Sequence, residues 1–427
     1  MSNTVPHGWT YTELGEFVAE SSAGEWGSEA AGDDNDVPVI RSTNFTNSGI
    51  IDYSKLAYRN IDEKKRLKKS LKQGDMVLEK SGGSPSQPVG RVVYFDKEQP
   101  FLYSNFTQRL SPVDECDSKF LFYKFYAEYQ NGTVLKFQQQ TTGIINFQLA
   151  EYLGYKSVFP PLPEQQKIAA ILSSIDDVIE KTRAQIDKLK DLKTGMMQEL
   201  LTKGIGHTAF KDSPVGRIPE GWDVVSLSTL ASFVTSGSRG WAQYYSDSGP
   251  LFIRIGNLTR EHINLRFDDC VYVSPPESAE GKRTQVKLGD VLISITADLG
   301  VIGVVNESIG EAYVNQHVSL VRLDQPEAAR WVGHFLAFEN SQKQFVANND
   351  AGAKSGLNLS AIRNTLVAMP ETEERQRIVE ALDAVDGEIA KKRQKVQHVM
   401  RMKKALMQDL LTGKVRVNID NKENAVA

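Results

Sequence analysis

Residues 166–202 read QKIAAILSSIDDVIEKTRAQIDKLKDLKTGMMQELLT, and residues 376–412 read QRIVEALDAVDGEIAKKRQKVQHVMRMKKALMQDLLT. At a constant offset of 210, without a gap, 13 of these 37 positions are identical, among them Gln166/Gln376, Asp176/Asp386 and Gln198/Gln408. A period this long is a tandem duplication rather than a solenoid. In the first stretch Ile168, Leu172, Ile175, Ile179, Thr182, Ile186, Leu189, Lys193, Met196 and Leu200 step alternately by four and three, a heptad seam. The second gives Ile378, Leu382, Val385, Ile389, Lys392, Val396, Val399, Lys403, Leu406 and Leu410. Both seams are interrupted at matching places, Thr182/Lys392 and Lys193/Lys403. Pro163 and Pro370 stand where a first helical turn tolerates proline, and Gly204 and Gly413 stand at the exits. About forty residues make a rod of roughly 60 Å. Each rod could be a core helix of its own copy. Two seams of equal length in one chain favour a coiled coil between the copies.

The repeat extends more faintly upstream. Pro6-His7-Gly8-Trp9 returns as Pro219-Glu220-Gly221-Trp222, and Gly74-Asp75-Met76-Val77-Leu78 returns as Gly289-Asp290-Val291-Leu292-Ile293. Arg41 and Asn44 return as Arg254 and Asn257. Between the rods lie short β-branched runs bounded by Gly, Asp or Asn, which read as strands. Residues 118–130 and 328–346 read as amphipathic helices. The expected fold is α+β, a pseudo-two-fold tandem repeat of two mixed, mostly β domains joined by two long antiparallel helices. The expected boundaries are 1–160, a helix over 161–204, a linker over 205–218, a second domain over 219–369, a helix over 370–413 and a polar tail over 414–427.

Fifty Lys+Arg against 54 Asp+Glu leave a net charge of −4, which excludes an indiscriminate basic coat for nucleic acid. Only Cys116 and Cys270 are present, so a disulfide framework or cysteine-rich zinc site is excluded and a reducing cytosol fits. No window approaches 18 consecutive apolar residues, and the start of the chain does not read as a signal peptide.

Catalytic motifs are scarce. There is no phosphate-cradling Gly-x-x-x-x-Gly-Lys-[Ser/Thr], no His-Glu-x-x-His and no nucleophile elbow. The six histidines lack ligand spacing, so no metal site is expected. One loose nuclease-like pattern remains, Asp52 with Asp62 and Lys64, and its second copy Asp268 with Glu280 and Lys282.

The charge is segregated. Residues 1–40 carry eight acids and no Lys or Arg, whereas residues 41–109 carry thirteen cations against seven acids. Lys64, Lys65, Arg66, Lys68 and Lys69 put five cations in six positions, a run suited to phosphates. Arginine and asparagine suit guanine and adenine edges, which makes Arg41, Asn44, Arg254 and Asn257 candidate readers. Further candidates in the first copy are Ser81, Gly83, Ser84, Gln87, Arg91, Asn105 and Gln108. The second copy adds Arg260, Lys282, Arg283, Thr296, Asn315, His317 and Lys354. Residues 211–369 carry fourteen cations against seventeen acids, so the first domain is expected to make more of its own phosphate contact.

The Pro-x-Gly-Trp opening, the Gly-Asp-hydrophobic strand, the run Pro160-Pro161-Leu162-Pro163-Glu164-Gln165-Gln166-Lys167-Ile168-Ala169 and the Leu-Leu-Thr close together resemble the DNA-specificity subunit of type I restriction-modification systems. The resemblance covers essentially the whole chain. It implies a non-catalytic subunit of a prokaryotic, cytoplasmic complex, in which each variable domain reads one half of a split double-stranded DNA target. The long helices would act as a ruler and dock two copies of an adenine methyltransferase subunit, and a motor-nuclease subunit would join for restriction. S-adenosylmethionine, ATP and Mg²⁺ would then belong to the partners, with no cofactor in this chain and no membrane. A coiled-coil scaffold without nucleic acid, or a nuclease built on the carboxylate–lysine clusters, are the alternatives from the residues themselves.

Overall fold

The computed structural model describes residues 5–141, 143–275, 277–306, 309–349 and 356–419. The chain forms two compact units, Met1–Thr182 with Lys395–Ala427, and Arg183–Gln394. Each unit therefore holds one β-rich domain and one half of each long helix. The helices run Leu162–Lys203 and Thr372–Leu410.

In the first unit a four-stranded antiparallel sheet has the order Val18–Ala23, Thr107–Pro112, Met76–Glu79, Val92–Tyr94. The second unit repeats it as Ala231–Ser236, Val318–Leu323, Val291–Ser294, Ile302–Val304. The central strands Met76–Glu79 and Val291–Ser294 are buried at every residue, which explains their unbroken apolar runs. The Gly-Asp dipeptide before each strand is a turn. Gly74 and Gly289 take φ of +98° and +81°, a region open to glycine, and Asp75 and Asp290 accept the amides of Lys72 and Lys287 at 2.7 and 2.6 Å. Each domain is closed where it meets the helix by pairing its first strand with its last, Thr10–Glu13 with Lys156–Phe159 and Asp223–Ser226 with Leu366–Met369.

The Pro-x-Gly-Trp motif and the acidic start of each long helix are two halves of one contact. Trp9 Nε1 donates to Glu164 Oε2 at 3.0 Å, and Trp222 Nε1 donates to Glu374 Oε2 at 3.0 Å. A buried carboxylate needs further donors. Glu164 receives both Nε (2.6 Å) and Nη2 (2.7 Å) of Arg416, while Glu374 receives the Ile205 amide (2.7 Å) and pairs with His207 Nε2 (2.9 Å). In each unit, the chain leaving one long helix thus seals the start of the other.

Ile168, Leu172, Ile378 and Leu382 are fully buried and join their domain cores, beside Phe120 and Phe159 in one unit and Trp222 and Trp331 in the other. Ile179, Ile186, Val385, Ile389 and Val396 are buried, and Ile175, Leu189 and Val399 are half-buried. The seam is therefore part domain core and part helix–helix contact. One of its two shared interruptions, Lys193/Lys403, is made of ion pairs. Lys193 Nζ donates to both oxygens of Asp386 (2.6 and 2.9 Å) and to Glu261 O (2.8 Å), and Lys403 Nζ donates to Asp176 Oδ1 at 2.6 Å. Thr182 donates to Val178 O at 2.6 Å. Lys392 donates to Gln185 Oε1 at 2.8 Å. In one unit Asp386 lies on Lys193 while Glu374 lies on Ile205; in the other Lys403 lies on Asp176 while Arg416 lies on Glu164. Both sequences of contacts make the helices antiparallel.

Three local expectations change. The presumed linker contains a hairpin, Phe210–Ser213 with Gly216–Pro219, because Ile218 reaches the second core. The presumed helix over 328–346 is two helices, Ala329–Ala337 and Glu339–Ala347, separated at Phe338, whose backbone is extended and whose ring is buried. The described part of the tail is docked through Arg416, and Val417 packs on the first core.

The Lys193–Asp386 pair gives a direct test. Removing one partner of a buried pair costs about 3–5 kcal/mol, whereas apolar replacement of both is often nearly neutral. Lys193→Met should lower the thermal midpoint seen by circular dichroism, and Lys193→Met with Asp386→Leu should recover most of the loss. An unchanged midpoint in the single variant would show that the pair does not hold the seam.

Candidate nucleic-acid interface

The basic run forms a short helix, Glu63–Lys69, N-capped by Asp62, which accepts the Lys65 amide at 3.1 Å. It lies against the acidic segment that precedes it in the chain. Glu25 receives Lys65 Nζ at 3.3 Å and Lys69 Nζ at 3.2 Å, and Arg66 donates to Asp34 O at 2.7 Å. Burial alone would raise the Glu25 carboxyl, but its pairing with Lys69 and Lys65 holds it below the ordinary range. Lys64 and Lys68 point outward with Leu67, which is 77% exposed. The charge segregation in the sequence is thus a contact: Glu25 of the acidic front pairs with two of the five cations of the basic helix.

A tight turn at 104–107, closed by the Thr107 amide on Ser104 O, brings candidate readers to the same end of the sheet. Gly24 lets the edge strand press on the Tyr103 and Ser104 carbonyls where a Cβ would collide, and Gly237 does the same over Val314 and Asn315. Phe106 O accepts the amides of Lys80 and Ser81 at 2.9 and 3.3 Å. Around it stand exposed Asn105, Phe106 at 47% exposure, Ser81 (donating to Asn146 Oδ1, 2.8 Å) and Gln108 (donating to Ser21 Oγ, 2.8 Å). Residues 83–88 turn over between the short strand Ser81–Gly82 and the buried Val89. Ser84 and Gln87 pair their backbones in this turn, and Gly83 and Gln87 are exposed.

Sequence reasoning missed Lys80 and Phe106. Lys80 is the residue before the loop, partly buried. Burial and the nearby charge of Lys69 hold its ammonium below the usual lysine range. A lone lysine in a strand end carries no sequence signal; only the fold puts it beside the basic helix.

Other candidates are structural. Asn44 and Asn257 are 2% and 1% exposed. Asn44 accepts the Arg41 amide and donates to Asp52 O and Lys55 O; Asn257 accepts the Arg254 amide and donates to Arg266 O and Asp269 O. These amides pin a loop in both copies, which leaves no donor for a base edge and corrects their assignment as readers. Arg91 is likewise enclosed, on Glu79 (2.7 Å), Ser42 O and Phe45 O. Arg41 and Arg254 sit half-buried beside them, on Lys55 O (3.3 Å) and Asp269 (3.0 Å).

The second copy is differently dressed. Its loop runs only from Thr296 to Gly300, five residues against ten for Ser81–Gly90. Arg260 holds that loop to the neighbouring helix through Asp298, Leu299 O (2.8 Å) and Gln342 (3.0 Å). Hydrogen-bond register pairs Asn105 with Gln316 and Phe106 with His317, since Lys80 N bonds Phe106 O as Ile295 N bonds His317 O. His317 shares hydrogen bonds with Thr296 Oγ1 (2.8 Å) and Gln316 (3.1 Å), and Asn315 Oδ1 accepts the His317 amide. Arg283 is held by Thr235 and Ser236 O, and Lys282 is exposed. Lys354 lies outside the described residues.

In the first copy both carboxylates of the nuclease pattern are engaged as caps. Asp52 caps Ser54 and Asp62 caps the basic helix. Among the described residues, the group with metal-ligand spacing is instead His334, Asp383 and Asp386. Its carboxylates are already engaged, Asp383 by Arg330 and His334 and Asp386 by Lys193. Arg330 and His334 hold the Asp383 carboxyl at about 2 against the opposing effect of burial. This is a buried ion-pair network that ties the second domain to the helices.

Two like β domains, each bolted to paired helices and carrying polar loops at one end, define a duplicated recognition protein. The sequence profile described as "Type I restriction modification DNA specificity domain" matches residues 6–191 and 219–398, and the chain belongs to that family as a specificity subunit, a non-catalytic component of type I restriction-modification complexes. It is 29% identical over 303 residues to the type I restriction enzyme MjaVIII specificity subunit of Methanocaldococcus jannaschii, covering 69% of this chain and 70% of that one. It is 22% identical over 413 residues to the MjaIX specificity subunit of the same organism, covering 90% and 87%. The fold is similar to the S subunit from M. genitalium, with a TM-score of 0.60 at 14% identity over 96% of this chain and 97% of that one. It is also similar to a chain from a structure of type I R-M assembly and conformational transition, with a TM-score of 0.54 at 16% identity, covering 96% and 100%. No helix among the described residues is long and apolar enough to cross a membrane.

Asn257→Ala should lower stability by about 1–3 kcal/mol, because the buried amide that pins the loop to the Arg266 and Asp269 carbonyls is lost. Urea unfolding measures that loss. The DNA sequence recognised by the assembled complex should not change; a changed preference would return Asn257 to the readers.

Proposed function

We propose that the chain reads a bipartite duplex DNA target, one half per β domain, and presents it to two copies of an adenine methyltransferase subunit docked on the long helices. A motor-nuclease subunit joins the same complex for restriction in the cytoplasm of a prokaryote. The observation that carries this reading is duplication with an asymmetric polar end. Both domains keep the Trp–Glu anchor and the Gly-Asp turn, whereas the loops Ser81–Gly90 and Thr296–Gly300 differ in length and chemistry. Anchors that stay and loops that vary are what separable half-site readers require. S-adenosylmethionine, ATP and Mg²⁺ belong to the partner subunits in this account, consistent with the family.

DNA exposed to the complex with its methyltransferase partner should carry methylated adenines in one split sequence with a fixed spacer. Methylation mapped to no common motif would refute the reading. The long helices set that spacer, so inserting one heptad between residues 180 and 190 should change the spacer or abolish binding while leaving both half-sites as they were. Altered half-sites would contradict a spacing role.

A further inference from the structure

Glu25 sits between two ammonium groups of the basic helix. Its two oxygens receive Lys65 Nζ and Lys69 Nζ at 3.3 and 3.2 Å, and Lys69 also donates to Gly24 O at 3.3 Å. Lys80 lies close enough for its charge to interact with Lys69, yet its ammonium has no carboxylate or carbonyl partner among the described residues. Its backbone is fixed beside the 104–107 turn by the bond to Phe106 O. Two lysines therefore meet one carboxylate at the end of the domain where the exposed loop residues gather, and a third, Lys80, whose backbone is held at the same turn, lies near Lys69 without such a partner among the described residues. Partial desolvation of an unpaired cation is costly. A structure gains from it where an anion arrives.

The second copy shows what this place looks like when it serves packing alone. The register that equates Gly74 with Gly289 equates Lys69 with Thr284, and the matching glycines Gly24 and Gly237 equate Glu25 with Ser238. There Ser238 and Thr284 share a buried hydrogen bond of 2.9 Å between hydroxyls, and Ile295 stands where Lys80 stands. The scaffold needs only a short polar contact at this point. The first copy installs a carboxylate and three ammonium groups.

We infer that Lys65, Lys69 and Lys80 form a seat for one DNA backbone phosphate, confined to the first domain, and that Glu25 is the internal stand-in which the phosphate displaces. This rests on the DNA-reading function proposed above. Carboxylate and phosphate oxygens accept the same ammonium donors, and a phosphodiester brings counterion release that Glu25 cannot. Lys80 positions the duplex; it reads no base.

The test uses the complex with its methyltransferase partner and a duplex bearing the methylated target, titrated from about 50 to 200 mM salt. Lys80→Met should raise Kd several-fold and lower the slope of log K against log salt by about one. Glu25→Gln should tighten binding several-fold, since the internal competitor loses its charge. Lys97→Met, an exposed lysine beside Asp96, serves as the control and should change neither. Wild-type binding with an unchanged slope in Lys80→Met would overturn the seat, and weaker binding in Glu25→Gln would make Glu25 a scaffold residue and overturn the stand-in. Absence of specific binding by the wild-type complex would instead sink the DNA-reading function itself. Circular dichroism melts of each variant separate a folding defect from lost contact, and a Glu25→Gln gain cannot arise from misfolding.

Discussion

The seam between the long helices contains two buried lysines, Lys193 on Asp386 and Lys403 on Asp176, and the placement of everything else follows from them. An apolar heptad seam tolerates sliding by whole heptads and gives little reason to prefer one register. A buried ammonium does not tolerate it: a slip strands two charges, at a cost that rivals the whole margin of stability of a domain. One such pair sits in each unit, in the same antiparallel sense. The Trp–Glu contacts then bolt each domain to the start of its own helix, with the chain leaving the other helix as a lid.

Duplication separates what the scaffold needs from what the surface does. Residues shared by the copies turn out to be supports: the Gly-Asp turn, the Trp–Glu anchor, the Arg-x-x-Asn loop pin and the glycine under the tight turn. Positions that differ lie around the loop end. There Glu79 with Arg91 becomes Ser294 with Val301, and the Glu25–Lys69 pair becomes Ser238–Thr284. A reader of two unrelated half-sites would diverge in this way, since base contacts must change and the frame must not.

Long-period features were legible in the sequence because periodicity survives divergence. The seams, the 210-residue offset and the central apolar strands were visible as patterns. The same logic misled at Asn44 and Asn257. Repetition in both copies suggested a shared reading function, whereas a residue retained in two domains that read different sequences is better placed in the frame. The hairpin at 210–219 was missed because its strands are four residues each and only Ile218 and Pro219 in them are buried. Lys80 was illegible because its meaning is tertiary: it matters only beside Lys69, eleven residues away in sequence. The net charge of −4 concealed the acidic front folding onto the basic helix, which a composition cannot express.

The central claim is the proposal that each domain reads its own half-site and that the long helices set the spacer in the target. Exchange of residues 219–369 for the equivalent domain of another specificity subunit, followed by sequencing of the methylated DNA, tests it most directly. The account predicts that one half of the target changes and that the other half and the spacer persist. A target altered in both halves, or a changed spacer, would contradict it.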